Sequence, residues 1–93
     1  MKVDVHAFGP LREVIGEKRY QCTLESDSTV GDLLDRLCAE FDGARAILGE
    51  ADERDTTAVV VTINKRSTKT LEGRETVLTD GDLVRISPPI HGG

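Results

Sequence analysis

Val30, Leu33, Leu34, Leu37, Cys38 and Phe41 recur at intervals of three, four and seven, and this stripe constrains the fold of the 93-residue chain more than any other feature. Such spacing gathers every apolar group on one side of an α-helix and leaves the opposite side wet. Thr29 stands where an N-cap belongs, and Asp32, three residues on, completes a capping box and pairs in sign with Arg36 one turn later. Gly43 offers a C-terminal stop. A helix with one apolar side needs a single apolar surface to lie against, and the rest of the chain supplies it as strands.

Val3, Val5 and Ala7 alternate with polar neighbours, as do Tyr20, Cys22 and Leu24 with Arg19, Gln21 and Thr23. Period two reads as two half-buried strands, suited to antiparallel pairing, and it sends Phe8 to the face opposite Val3, Val5 and Ala7. Between them Pro10 opens a helical turn through Ile15 that Gly16 closes with a positive φ. From Ala44 to Thr57 the pattern weakens to a helical turn or irregular stretch and then a loop. Val59–Ile63 is a β-branched run suited to a central strand, and Asn64–Ser67 supplies a turn. Leu71 and Val77–Leu78 read as short edge contributions, and Thr79-Asp80-Gly81-Asp82 as a tight turn into a last strand, with Val84 and Ile86 facing the core. Strand, strand, helix, strand, minor strand, strand is the order of an α+β β-grasp fold. One main helix then crosses one face of a mixed sheet of four to five strands, with Val5, Leu34, Leu37, Val61, Val84 and Ile86 in its core.

The length suits one domain that buries roughly 60–65% of its extended surface, over residues 1–87. A net charge of −5, with 12 Lys and Arg against 17 Asp and Glu, repels a phosphate backbone, so no nucleic-acid partner is expected. Nine Asp against four Lys is a bias of salt-rich cytoplasm. The chain opens on a strand pattern and holds no run of eighteen apolar residues, so a cytoplasmic protein with no membrane partner is expected. Cys22 and Cys38 are too few for a zinc or iron–sulfur site, and His6 and His91 do not complete one. Both cysteines read as small core residues, with a disulfide between them left open.

Pro88-Pro89 must end the last strand, and the six residues 88–93 form a separate tail. The prolines make a stiff spacer of about 3 Å per residue, and Gly92-Gly93, lacking any Cβ, is the slimmest tether a chain can make. His91 beside it invites a proton-relay role, but a solvated spacer is the better reading.

The pieces Phe8-Gly-Pro-Leu11-Arg12-Glu13-Val-Ile-Gly16, Thr29-Val30-Gly31-Asp32-Leu33-Leu34, Ile63-Asn64, Leu78-Thr-Asp80-Gly81-Asp82 and Pro88-Pro89-Ile90-His91-Gly92-Gly93 together resemble the MoaD-like and ThiS-like family of ubiquitin-like proteins, close to the small archaeal modifiers. The match runs over nearly the whole chain.

The resemblance implies that the Gly93 carboxylate is adenylated by a ubiquitin-activating-type enzyme at the expense of ATP, so the chain is no enzyme and holds no cofactor or metal. The activated tail would then serve isopeptide attachment to target lysines, or a thiocarboxylate for tRNA thiolation or for a molybdopterin precursor held by the synthase large subunit. The family also implies that the outer sheet face binds the partner enzyme. Here that face carries Phe8, Val60, Thr62, Leu83 and Arg85, and Pro88, Pro89, Ile90 and His91 join it through the tail. Ser87 replaces the apolar residue common in the family, so the apolar patch is thin and Phe8, Leu83 and the tail are expected to dominate. Phe8 has a second possible place, tucked under the Pro10–Ile15 turn. A monomer is expected. The competing reading is a β-grasp binding module that docks by its sheet face, is never activated and has a dispensable tail.

Overall fold

The computed structural model describes residues 1–48, 60–68 and 71–87. Five strands, β1 (Lys2–Ala7), β2 (Arg19–Thr23), β3 (Val60–Ile63), β4 (Arg66–Ser67) and β5 (Leu83–Ser87), form one sheet in the order β2-β1-β5-β3-β4. β1 runs antiparallel to β2 and parallel to β5, and β3 pairs antiparallel with both β5 and β4. Among the described residues the sheet is joined by helices α1 (Pro10–Ile15), α2 (Val30–Glu40) and α3 (Ala44–Leu48) and by a 3-10 turn at Gly73–Glu75. This is the β-grasp arrangement expected from the element order.

The alternation in the strands carries through to burial. Val3, Val5, Ala7, Cys22, Val61, Ile63, Val84 and Ile86 are buried together with Val30, Leu33, Leu34 and Leu37 of α2. Covering the apolar stripe of α2 stabilises the fold by about 25 cal/mol for each Å² of apolar surface removed from water. Cys38 and Phe41, at the stripe's far end, are only half-buried. Cys22 and Cys38 are not joined by a disulfide, and Cys22 lies in the core.

The caps explain where α2 begins and ends. The Thr29 hydroxyl accepts from the Asp32 N–H at 3.2 Å, and the Asp32 carboxylate accepts from the Thr29 N–H at 2.9 Å. Because that carboxylate is engaged at the N-terminus, Arg36 turns the other way and pairs with Glu40 at 2.6 Å, not with Asp32. The helix stops at extended Phe41, before Gly43, whose φ of +91° then steers the chain into α3. Gly31 is buried where Arg74 crosses the helix, and a Cβ there would lie 3.2 Å from the Arg74 carbonyl. Gly16 closes α1 at a φ of +88°, as its sequence position predicts.

The later part of the chain departs from its sequence reading. The minor strand is Arg66–Ser67, not Leu71 or Val77–Leu78. Leu71 packs half-buried on the core, and Val77 forms an isolated bridge with Thr29. Leu78 is fully buried, because Leu78 donates to the Ser28 carbonyl at 2.8 Å and Val30 to that of Thr76 at 2.9 Å, clamping this segment to the start of α2. Within the weakly patterned stretch Ala44–Leu48 is helical. The loop expected after it and Val59 lie outside the described residues.

Candidate docking face

The outer face of the sheet faces away from the core and α2. Register fixes which side chains meet there: His6 lies opposite Arg19 on β2 and beside Arg85 on β5, and Arg85 in turn lies opposite Thr62 on β3. One row therefore reads Arg19, His6, Arg85, Thr62 across four strands. A neighbouring row holds Gln21, Asp4 and Leu83, with Gln21 donating to the Asp4 carboxylate at 3.4 Å. On the other side Val60 stands opposite Ser87.

Phe8 extends the ladder beyond β1 by donating to the Ile86 carbonyl at 3.0 Å, so its side chain follows His6 to the outer face. It is half-buried and is not among the residues packed on the core, and Lys18 Nζ sits 5.8 Å from its ring centroid, within cation–π range. These contacts favour the outward of the two places expected for Phe8. Val60 and Leu83 are half-buried and Arg85 is exposed on the same face, as expected of each. Pro88, Pro89, Ile90, His91, Gly92 and Gly93 lie outside the described residues, which end at Ser87, the last residue of β5.

Sequence reasoning missed the charge of this face. Lys18, Arg19 and Arg85 surround His6 on a chain of net charge −5. Partial burial and then the fields of Arg19, Arg85 and Lys18 hold the His6 imidazole below its ordinary value, against a smaller opposing pull from Asp4. The alternation of β2 already placed Arg19 outward; its register against His6 had no signature.

Asp82 was also missed as more than a turn residue. Its buried carboxylate accepts from the Thr79 N–H at 2.8 Å, the Thr79 hydroxyl at 2.9 Å and the Asn64 amide at 2.9 Å, while Asn64 Oδ1 accepts from the Leu83 N–H at 2.9 Å. Burial pushes this carboxyl up, but the hydrogen bonds together outweigh it and hold it below its ordinary value. The network ties the β3–β4 turn to the start of β5, and so fixes the strand that leads to the tail.

Among the described residues no cluster of His, Cys, Asp and Glu could hold a metal ion, and no helix is long and apolar enough to cross a membrane.

The model of the ThiS family matches residues 5–93. Small archaeal modifier protein 3 of Haloferax volcanii is 40% identical over 93 residues, the full length of both chains. The solution structure of the Haloferax volcanii HVO 2177 protein superposes with a TM-score of 0.86 at 40% identity, covering 100% of this chain and 87% of that one. The crystal structure of SAMP1 from the same organism gives 0.78 at 25% identity over 100% of both chains.

Proposed function

This chain belongs to the ThiS family, and from that premise we propose that it is a ubiquitin-like modifier whose Gly93 carboxylate is activated by an ATP-dependent adenylating enzyme. The observation that carries this reading is the full-length match to a small archaeal modifier protein, together with a family match that extends through Gly92-Gly93. The chain is the substrate of the chemistry and not its catalyst.

In the activating step a Gly93 carboxylate oxygen attacks the α-phosphorus of ATP, pyrophosphate leaves, and an acyl-adenylate forms. A nucleophile then attacks the carbonyl carbon and AMP departs with the bonding pair. A lysine amine, losing its proton, gives an isopeptide bond; a reduced sulfur donor gives a thiocarboxylate. One activated tail supports both outcomes, and the molybdopterin synthase large subunit is a partner for the second. Diglycine suits this role because side chains would block passage through a narrow channel to the active site. Pro88-Pro89, with fixed φ and no N–H to donate, suits a stiff spacer ahead of it. The outer face, with Phe8 at its edge and Leu83, Val60 and Arg85 on it, holds the domain while the tail reacts.

The test is ATP–pyrophosphate exchange by the adenylating enzyme of the source organism, with the intact chain and with a chain lacking Gly92-Gly93. Exchange that requires the intact chain is the expected result. Exchange unchanged by the deletion, or no exchange with the folded intact chain, overturns the reading.

A further inference from the structure

We propose that the outer sheet face around His6 is a cationic docking patch that fits an acidic surface on the adenylating partner. The proposal rests on the function proposed above and assigns the chemistry of the contact.

Three observations converge on it. The register aligns Arg19, His6 and Arg85 in one row, and Lys18 stands over Phe8 beside it, so four basic groups from β1, β2, β5 and the turn before β2 share one surface. Asp4 is the one acid among the groups that act on His6, and among the described residues neither Arg19 nor Arg85 is paired with a carboxylate. On a protein of net charge −5 this is a local reversal of sign, which an acidic partner would seek while the remaining surface repels it.

Position supplies the second argument. Arg85 is two residues before Ser87, where β5 ends, and Phe8 is tied to β5 through the Ile86 carbonyl. A partner bound here lies beside the point where the tail leaves the sheet. The apolar part of the face, Phe8, Leu83 and Val60, is small, so charge has more of the orientation to supply than in a predominantly apolar interface.

The third argument concerns the kind of acid. Three permanent cations and one aromatic ring on an acidic domain make a poor match for nucleic acid, whose affinity grows with the number of phosphates neutralised. An acidic protein surface needs only a few opposed charges to gain encounter rate and register.

The experiment measures the chain concentration that half-saturates ATP–pyrophosphate exchange by the same enzyme. It compares the intact chain with Arg19→Glu/Arg85→Glu, Arg19→Lys/Arg85→Lys and Lys65→Glu, the last a charge reversal in the β3–β4 turn. Charge reversal on the patch is expected to raise that concentration about tenfold or more, while the Lys pair and Lys65→Glu stay within about twofold. Raising salt from 0.1 to 1 M, which shortens screening from about 10 to 3 Å, should bring the reversed variant and the intact chain together. Circular dichroism of each variant reports the fold. If the intact chain supports exchange and the reversed, folded variant does so with unchanged half-saturation, the patch assignment fails and the proposed function stands. No exchange with the intact chain removes both. Transfer RNA bound by the intact chain and lost on reversal, with exchange unaffected, reassigns the patch to nucleic acid and overturns the proposal.

Discussion

Asp82→Asn removes one charge and almost no volume, so its cost comes from the hydrogen bonds of a buried carboxylate. In the native turn three donors converge on it at 2.8–2.9 Å. Hydrogen bonds to a charged acceptor contribute about 1.5–3 kcal/mol each, and neutral ones about 1. The Asn oxygen retains the Thr79 hydroxyl and the Asn64 amide as neutral bonds, a loss of about 2 kcal/mol. Its NH₂ group then faces the Thr79 N–H, donor against donor, for about 1–3 kcal/mol more. Relief of the carboxylate's own desolvation returns part of this, leaving a net loss of about 3 kcal/mol out of the 5–15 typical of a domain. With a urea m-value of about 1.5 kcal/mol per M, the midpoint should fall by about 2 M.

The pH profile gives an independent check with a definite sign. An unfolded Asp titrates near 3.9, and the folded Asp82 carboxyl is held lower, so its ionised form contributes stability above about pH 4 that is lost as pH falls through the folded value. Asn does not titrate. The gap between the native chain and Asp82→Asn should therefore be constant near neutral pH and narrow below pH 4. A gap under about 0.5 kcal/mol, or one that ignores acid, would refute the argument.

Tyr20 is the single tyrosine of the chain, so absorbance titration reads its phenol alone; the hydroxyl donates to Glu40, and first that bond, then burial, push the pKa up to about 12. Glu40→Gln should return it toward the ordinary 10, and an unshifted native phenol would contradict the contact. Gly16→Ala meets no neighbour within 4 Å, so its cost is the left-handed backbone alone, about 1 kcal/mol by urea denaturation. No loss would mean that the α1 cap is not held at positive φ. Phe8→Ala should leave the fold intact and raise half-saturation of the activating enzyme about tenfold or more; an unchanged value would remove Phe8 from the interface.

The parts of this fold that could be read in advance are those where one local pattern decides the outcome. The Thr29–Asp32 box, the stripe from Val30 to Leu37, the Gly16 cap and the alternation of Val3, Val5 and Ala7 are each written within a dozen residues, and each holds. Arg36 illustrates the limit: Asp32 and Glu40 both lie one turn away, and only the engagement of Asp32 at the N-cap decides for Glu40. A strand of two residues, Arg66–Ser67, has no period to detect. Leu78 is buried by bonds to the start of α2 fifty residues away in sequence. The face shows both cases. Phe8, Leu83, Val60 and Arg85 follow from alternation, whereas the convergence of Lys18, Arg19 and Arg85 on His6 depends on the registers of β2 and β5 against β1, the second joining residues about eighty positions apart, and neither register leaves a local trace.

The central claim, that the Gly93 carboxylate is the reactive group, is tested most directly by mass spectrometry of the protein recovered from its own cells. The intact C-terminus is compared with the unmodified mass while other proteins are screened for glycine-glycine remnants on lysine. The account predicts oxygen replaced by sulfur at Gly93, remnants that vanish when Gly92-Gly93 is deleted, or both. An unmodified tail and no remnants, with partner binding intact after that deletion, would contradict it and leave a binding module.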